Sequence, residues 1–216
     1  MRRILIGVFA GLAISAAPAR AQWQLDGWLG TVLNAHSPVT FSESGYPDIT
    51  TTGHWSTRSW DPTWYYTVRF SHWNDSTGWA FHYIHHKLYL DNPPPGVLYF
   101  RITNGVNFFL GERLWRRNGW QWGIGAGPIF TVPISDIRGR IYNKANGIFG
   151  SVYELGGAGL EADIGRRVRL LPFTAGMLTL KVTAADLDVH VTNGNATLYN
   201  LALHLDYGLS LQTRKK

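Results

Sequence analysis

The sequence predicts an all-β chain: an eight-stranded, antiparallel, up-and-down transmembrane β-barrel that follows a cleaved signal peptide. Three observations carry this reading. Apolar and polar side chains alternate every two residues over long segments, which is the period of a strand and not of a helix. The clearest segment is about twice an ordinary strand and matches the ~10 residues that a tilted strand needs to cross a bilayer. The chain also opens with the features of an export signal.

Met1-Arg2-Arg3 is a positive start, Ile4 to Ala17 is apolar, and Ala19-Arg20-Ala21 has the small-x-small form of a cleavage site. Residues 1–21 are therefore expected to be a signal peptide and residues 22–216 an outer-membrane β-barrel domain. Composition excludes several classes. Of 216 residues, 45% are hydrophobic and 14% aromatic, too much apolar surface for a disordered chain. Only 16% are charged, below the quarter usual in soluble domains. Past residue 18 no apolar run approaches the ~20 residues of a membrane helix. Cysteine is absent, so disulfides and thiolate chemistry are excluded. Without Arg2, Arg3 and Arg20, 17 basic residues face 14 acidic ones, and a net charge of +3 gives no case for nucleic acid.

The last strand alternates most strictly. Thr197, Tyr199, Leu201, Leu203, Leu205, Tyr207, Leu209 and Leu211 share one face, against Ala196, Leu198, Asn200, Ala202, His204, Asp206, Gly208 and Ser210. Lipid outside and a polar lumen inside account for that sorting. Trp23 to Leu33 alternate in the same way with Gln24, Asp26, Trp28, Asn34 and His36. Trp64, Tyr66, Val68 and Phe70 alternate with Tyr65, Thr67, Arg69 and Ser71. Further strands are expected over residues 79–90, 97–110 and 120–126, and, with weaker alternation, near 149–164 and 168–183. The inner-face glycines Gly123, Gly125 and Gly127 would relieve crowding in a narrow barrel.

The connectors fit the same count of eight. Asn74 to Gly78, Arg116 to Gly119 and Gly165-Arg166-Arg167 read as tight turns. Residues 37–63, 91–96, 135–147 and 184–194 read as longer connections, with Pro93-Pro94-Pro95 unable to donate to a ladder. Short and long connectors then alternate, as periplasmic turns and external loops do in outer-membrane barrels. Trp64, Tyr66, Trp79, Trp120, Trp122, Tyr199 and Tyr207 suit a membrane–water boundary, where a ring is half-buried and its N–H or O–H stays wet.

With these features the chain resembles the small eight-stranded outer-membrane barrels of Gram-negative bacteria, a broad group that includes lipid A acyl-modifying enzymes. The resemblance spans roughly residues 22–211 and rests on pattern. It implies a place in the bacterial outer membrane, contact with lipopolysaccharide and phospholipid, and insertion by the barrel-insertion machinery. Many members end in an aromatic residue, whereas here Leu211 is followed by Gln212-Thr213-Arg214-Lys215-Lys216. Enzymes of the group combine His with Ser and an acidic residue near the membrane boundary or in the outer loops. The local matches, His72 with Asp75 and Ser76, and His54 with Ser56, carry no specific motif.

Candidate chemistry is sparse. His204, Asp206 and Ser210 on the last strand, with His36 from the first, supply the parts of a nucleophilic site. The alternative is a structural lumen network of Asp26, Asn34, His36, Asn200, His204 and Asp206, since a narrow barrel must fill its interior with paired polar groups. His82 and His86 share a face, but four residues on a strand separate them by about 13 Å, too far for a shared metal without ligands from other strands. No metal or cofactor is expected. Three functions stay open: a pore-less barrel with a structural or surface-exposed role, a lipid A or phospholipid deacylase or acyltransferase, and a soluble lipocalin-like carrier of an apolar ligand.

Overall fold

A computed structural model describes residues 21–143 and 153–213. The expected leader, apart from Ala21, lies outside the described residues, as do positions 149–152 and Arg214-Lys215-Lys216. The described residues form β1 (Ala21–Asn34), β2 (Ser37–Glu43), β3 (Ile49–Gly53), β4 (Trp55–Ser56), β5 (Tyr66–Asn74) and β6 (Thr77–Leu90). They continue as β7 (Val97–Arg117), β8 (Trp120–Ile137), β9 (Arg140–Asn143), β10 (Glu154–Leu171), β11 (Thr174–Val191) and β12 (Gly194–Gln212).

Eight of these are the staves of a closed antiparallel barrel, in the order β1-β5-β6-β7-β8-β10-β11-β12. The ring closes where β1 pairs with β12, from Gln24↔Gln212 to Asn34↔Ala202. Closure leaves no free sheet edge, the condition for a sheet in hydrocarbon. Both described chain ends lie at one rim, called the lower end below. The remaining strands build the upper end: β2 pairs with the start of β12, β3 with β2, β4 with β6, and β9 with β8.

The wall is uneven between β1 and β6. Stave β5 has nine residues, and its pairing with β1 stops at Leu29↔Tyr66. Above that level the chain before β5 fills in. Trp55 pairs with Leu90, Thr57 lies between Asn34 and His86, and the Lys87 ammonium donates to the Asp61 carbonyl at 2.9 Å.

Sidedness obeys two rules along one strand. In lower β11, Leu178, Leu180 and Val182 face outward while Thr179, Lys181 and Thr183 are buried. Above Ala184 the pattern inverts: Asp186, Asp188 and His190 face outward, and Ala185, Leu187, Val189 and Val191 are buried. The same inversion occurs in β12, where Asn200, His204 and Asp206 are buried lower down and Ala196 and Leu198 above. Outward residues of the lower part include Trp23, Phe70, Trp79, Trp120, Trp122, Ile124, Leu205 and Leu209. An apolar exterior around a polar interior suits lipid; a polar exterior around an apolar interior suits water. The lower part is built for a bilayer and the upper part for an aqueous phase.

Eight staves agree with the sequence, as does the facing of those whose alternation is clear; the parities of β6 and β10 are mixed in sequence and give no facing, and in β6 His85, His86 and Lys87 are all buried around a register shift. Four connectors do not agree. Gly165-Arg166-Arg167 is not a turn; it lies inside β10, and the lower turn falls at Pro172-Phe173. The expected long connection at 184–194 is strand on both sides of a tight Thr192-Asn193 turn, with Asn193 at φ +55°. The long first connection carries three short strands, and the expected connection at 135–147 is strand on both sides of a tight Arg138-Gly139 turn as far as Asn143. Gly125 does relieve crowding, since a Cβ there would come 2.8 Å from Glu112 Cγ.

The two rules give opposite expectations for one substitution. Leu205→Arg, on the lipid face, should destabilise the barrel by about 2–4 kcal/mol, while Asp188→Arg, outward but above the inversion, should change stability by less than about 0.5 kcal/mol. Urea unfolding of the chain reconstituted in vesicles measures both.

Candidate functional site

The densest chemistry is a belt of charge inside the lower barrel. Arg69 of β5 reaches across the lumen: its Nη1 donates to Asp163 Oδ2 of β10 at 2.8 Å and lies 3.6 Å from Glu112 Oε2 of β7. Its Nε is 3.5 Å from Asp26 Oδ2 of β1. Lys181 of β11 pairs with Asp206 at 3.0 Å and stands 3.9 Å from Glu161. The Trp28 ring lies between the two cations, 4.9 Å from the Arg69 guanidinium and 5.7 Å from the Lys181 ammonium. The Gln24 amide donates to both oxygens of Asp26 at 2.8 and 2.9 Å. Below these, the mouth of the lower end is a recess of about 810 Å³ bordered by Arg116, Arg117, Arg167 and Arg169.

Higher in the lumen, hydrogen bonds fix one protonation pattern. The Tyr65 hydroxyl donates to Asp206 Oδ2 at 3.1 Å, so its oxygen accepts from His204 Nδ1–H at 2.9 Å. His204 Nε2 is then an acceptor, facing the Thr183 hydroxyl at 2.9 Å. A second chain runs from the Asn200 amide to Asn34 Oδ1, from the Asn34 amide to Thr57, and from the Thr57 hydroxyl to His86 Nε2. Above this lies an apolar core that includes Val39, Phe41, Trp55, Phe100, Ile102, Phe108, Leu187 and Leu198.

The structure collects most of the lumen residues expected from sequence. Asp26, Asn200, His204 and Asp206 are fully buried and hydrogen-bonded or ion-paired, and Asn34 is half-buried in the second chain. His36 is the correction. It follows the end of β1, is exposed, and stacks on His54 with ring centroids 3.9 Å apart, because the register on β12 shifts by one residue between Asn34↔Ala202 and Val39↔Leu198, which turns His36 outward while the chain stays in the wall. The four nucleophilic candidates do not meet. His204 and Asp206 share Tyr65, but Ser210 lies six residues down the strand, opposite Asp26, about 20 Å from His204 by the strand rise.

Sequence reasoning set Arg69 on the polar parity without giving it a role, and missed the rest of the belt's centre: Glu112, Glu161, Asp163 and Lys181. All five sit on inward parities, which is the one signal that could have found them. Glu161, Asp163 and Lys181 belong to the two strands whose alternation was read as weak. On the outside, His190 Nδ1 lies 2.6 Å from Glu154 Oε2, and the Tyr142 hydroxyl donates to Glu154 Oε1 at 2.8 Å.

This arrangement is an outer-membrane-type β-barrel. Among solved structures the chain is similar to Neisserial surface protein A, at 10% identity over 89% of this chain and 97% of that one, with a TM-score of 0.42. It is likewise similar to the outer membrane protein OprG from Pseudomonas aeruginosa, at 9% identity over 91% and 97%, with a TM-score of 0.45. No family model and no curated protein matches the sequence.

The belt's energetics are testable. Arg69→Met leaves three carboxylates without their shared cation and should cost about 3–5 kcal/mol, whereas Tyr65→Phe removes the hydrogen bond to Asp206 and the acceptor of His204 Nδ1–H and should cost at least about 1.5–3 kcal/mol. Equilibrium unfolding in detergent reads both.

Proposed function

We propose that the chain is an integral barrel of the Gram-negative outer membrane, with no continuous pore and a structural or surface-exposed role. The observation that carries this reading is that Arg69, His82, Glu112, Lys181 and Asp206, from five different staves, are all buried at one level of the lumen. Eight staves leave an interior just wide enough for side chains to fill. The apolar core above forms a second layer, in which Phe41 of β2 packs against Phe100 with ring centroids 5.2 Å apart. The upper end then serves as the contact surface. Its segments are tied together: Glu43 accepts from Arg138 at 2.6 Å and forms an ion pair with Arg140 at 2.7 Å, joining the first loop to the β8–β9 hairpin. A braced surface suits a binding face better than a gate.

The carrier reading requires a polar exterior, which the lower barrel lacks. The acyl-modifying reading has one observation in its favour, the outward His190–Glu154 pair beside the level where the exterior turns apolar. An oriented imidazole and carboxylate are two parts of a hydrolytic site.

In planar bilayers, the purified barrel should give no stepwise conductance above the lipid baseline; discrete openings would overturn the pore-less reading. Mass spectra of lipid A from cells with and without the protein should be identical. A lost or gained acyl chain that depends on His190 would establish the enzyme instead.

A further inference from the structure

One group in the belt is better arranged for a metal than for a proton. His82 Nδ1 of β6 lies 2.8 Å from Glu112 Oε1 and 2.9 Å from Glu161 Oε2, and the three donor atoms all fall within 4.8 Å of one another. All three residues are buried. An imidazole nitrogen carries at most one proton, yet this atom faces two carboxylate oxygens at equal range. The convergence is built by the sheet. Glu112 and Glu161 lie on either side of Gly125 in a continuous row, Glu112↔Gly125↔Glu161; a Cβ at Gly125 would come 2.8 Å from Glu112 Cγ, and its absence keeps the space between the two carboxylates open, so that Glu161 reaches past β8 to the His82 that Glu112 meets from the neighbouring stave.

The surroundings supply too little positive charge. At this level five carboxylates, Asp26, Glu112, Glu161, Asp163 and Asp206, share two fixed cations, Arg69 and Lys181. Arg69 makes its short contact to Asp163 and Lys181 its short contact to Asp206. Glu112 Oε2 and Glu161 Oε1, both fully buried, are left without a hydrogen bond. Buried carboxylates without full compensation are costly, and a divalent ion removes that cost.

We infer that His82 Nδ1, Glu112 Oε1 and Glu161 Oε2 form a binding site for a divalent transition metal of the zinc class, enclosed in the barrel interior. One imidazole and two carboxylates suit zinc or cobalt, whereas calcium and magnesium call for oxygen donors alone. Zinc–ligand bonds of about 2.0 Å place tetrahedral donors roughly 3.3 Å apart, so the two separations from His82 Nδ1 need to open by only a few tenths of an ångström. The ion ties β6, β7 and β10, three staves that are not all neighbours, and its role is structural.

The test refolds the chain from residue 22 onward in detergent with zinc or cobalt, removes free metal, and measures what remains by atomic spectroscopy. The expected result is about one zinc per folded chain, no retained magnesium or calcium, and at least a tenfold loss of retention in His82→Ala and Glu161→Gln, with Asp188→Asn unchanged. A folded wild-type barrel that retains no zinc overturns the site, as does retention that persists in both variants. Should the variants fail to fold, X-ray absorption of the cobalt-loaded wild type decides: one imidazole with oxygen donors supports the site, and a shell lacking histidine overturns it.

Discussion

Every backbone N–H and C=O at lipid depth must find its partner within the protein, and that single requirement organises this molecule. It forces the sheet to close, and the closure is made between the first and last staves, Gln24–Asn34 on Ala202–Gln212. Eight staves fix a narrow bore, so inward positions are either very small or mutually paired. Gly123 and Gly125 face the bore where the side chains of their neighbours on the adjacent staves, Leu114, Asp163 and Glu112, crowd over them. The interior charges are thus a consequence of closure. Lipid forbids them on the outside, and the bore has room for them only if each fits against the others.

Desolvation decides how those charges are arranged. A lone buried ion is untenable, so Arg69 is shared by carboxylates from three staves and Lys181 by two. The aromatic face of Trp28 stands beside both cations. Because each ion reaches a different part of the ring, the belt also specifies register. Slipping one stave by a residue would turn its charged member toward the acyl chains.

What the sequence discloses follows from the range of each interaction. The two-residue period is local, so stave count, the facing of the clearly alternating staves and the glycine-lined β8 are legible directly, while the mixed parities of β6 and β10 are not. The missed turn at Thr192-Asn193 has a particular cause: in β11 the apolar residues change parity between Val182 and Ala185. Followed along one face, the pattern stops at the inversion and imitates a loop, although the strand continues to Val191. The Gly165-Arg166-Arg167 run was misplaced because a glycine and charges resemble a turn; the arginines lie near the wet lower end, where a strand tolerates them. Cross-lumen partners such as Arg69 and Asp163 are 94 positions apart, and nothing local announces them.

Since β11 and β12 pass from one regime to the other without a break, a single hydrogen-bonded ladder is held by two solvents that reward opposite substitutions. The cap can therefore drift in sequence as an ordinary water-soluble β-domain does, trading surface polar residues freely around Phe41, Phe100 and Leu187. The wall beneath it cannot. Divergence among such chains should concentrate above Ala184 and Tyr199, leaving a slowly changing stem beneath a fast-changing head.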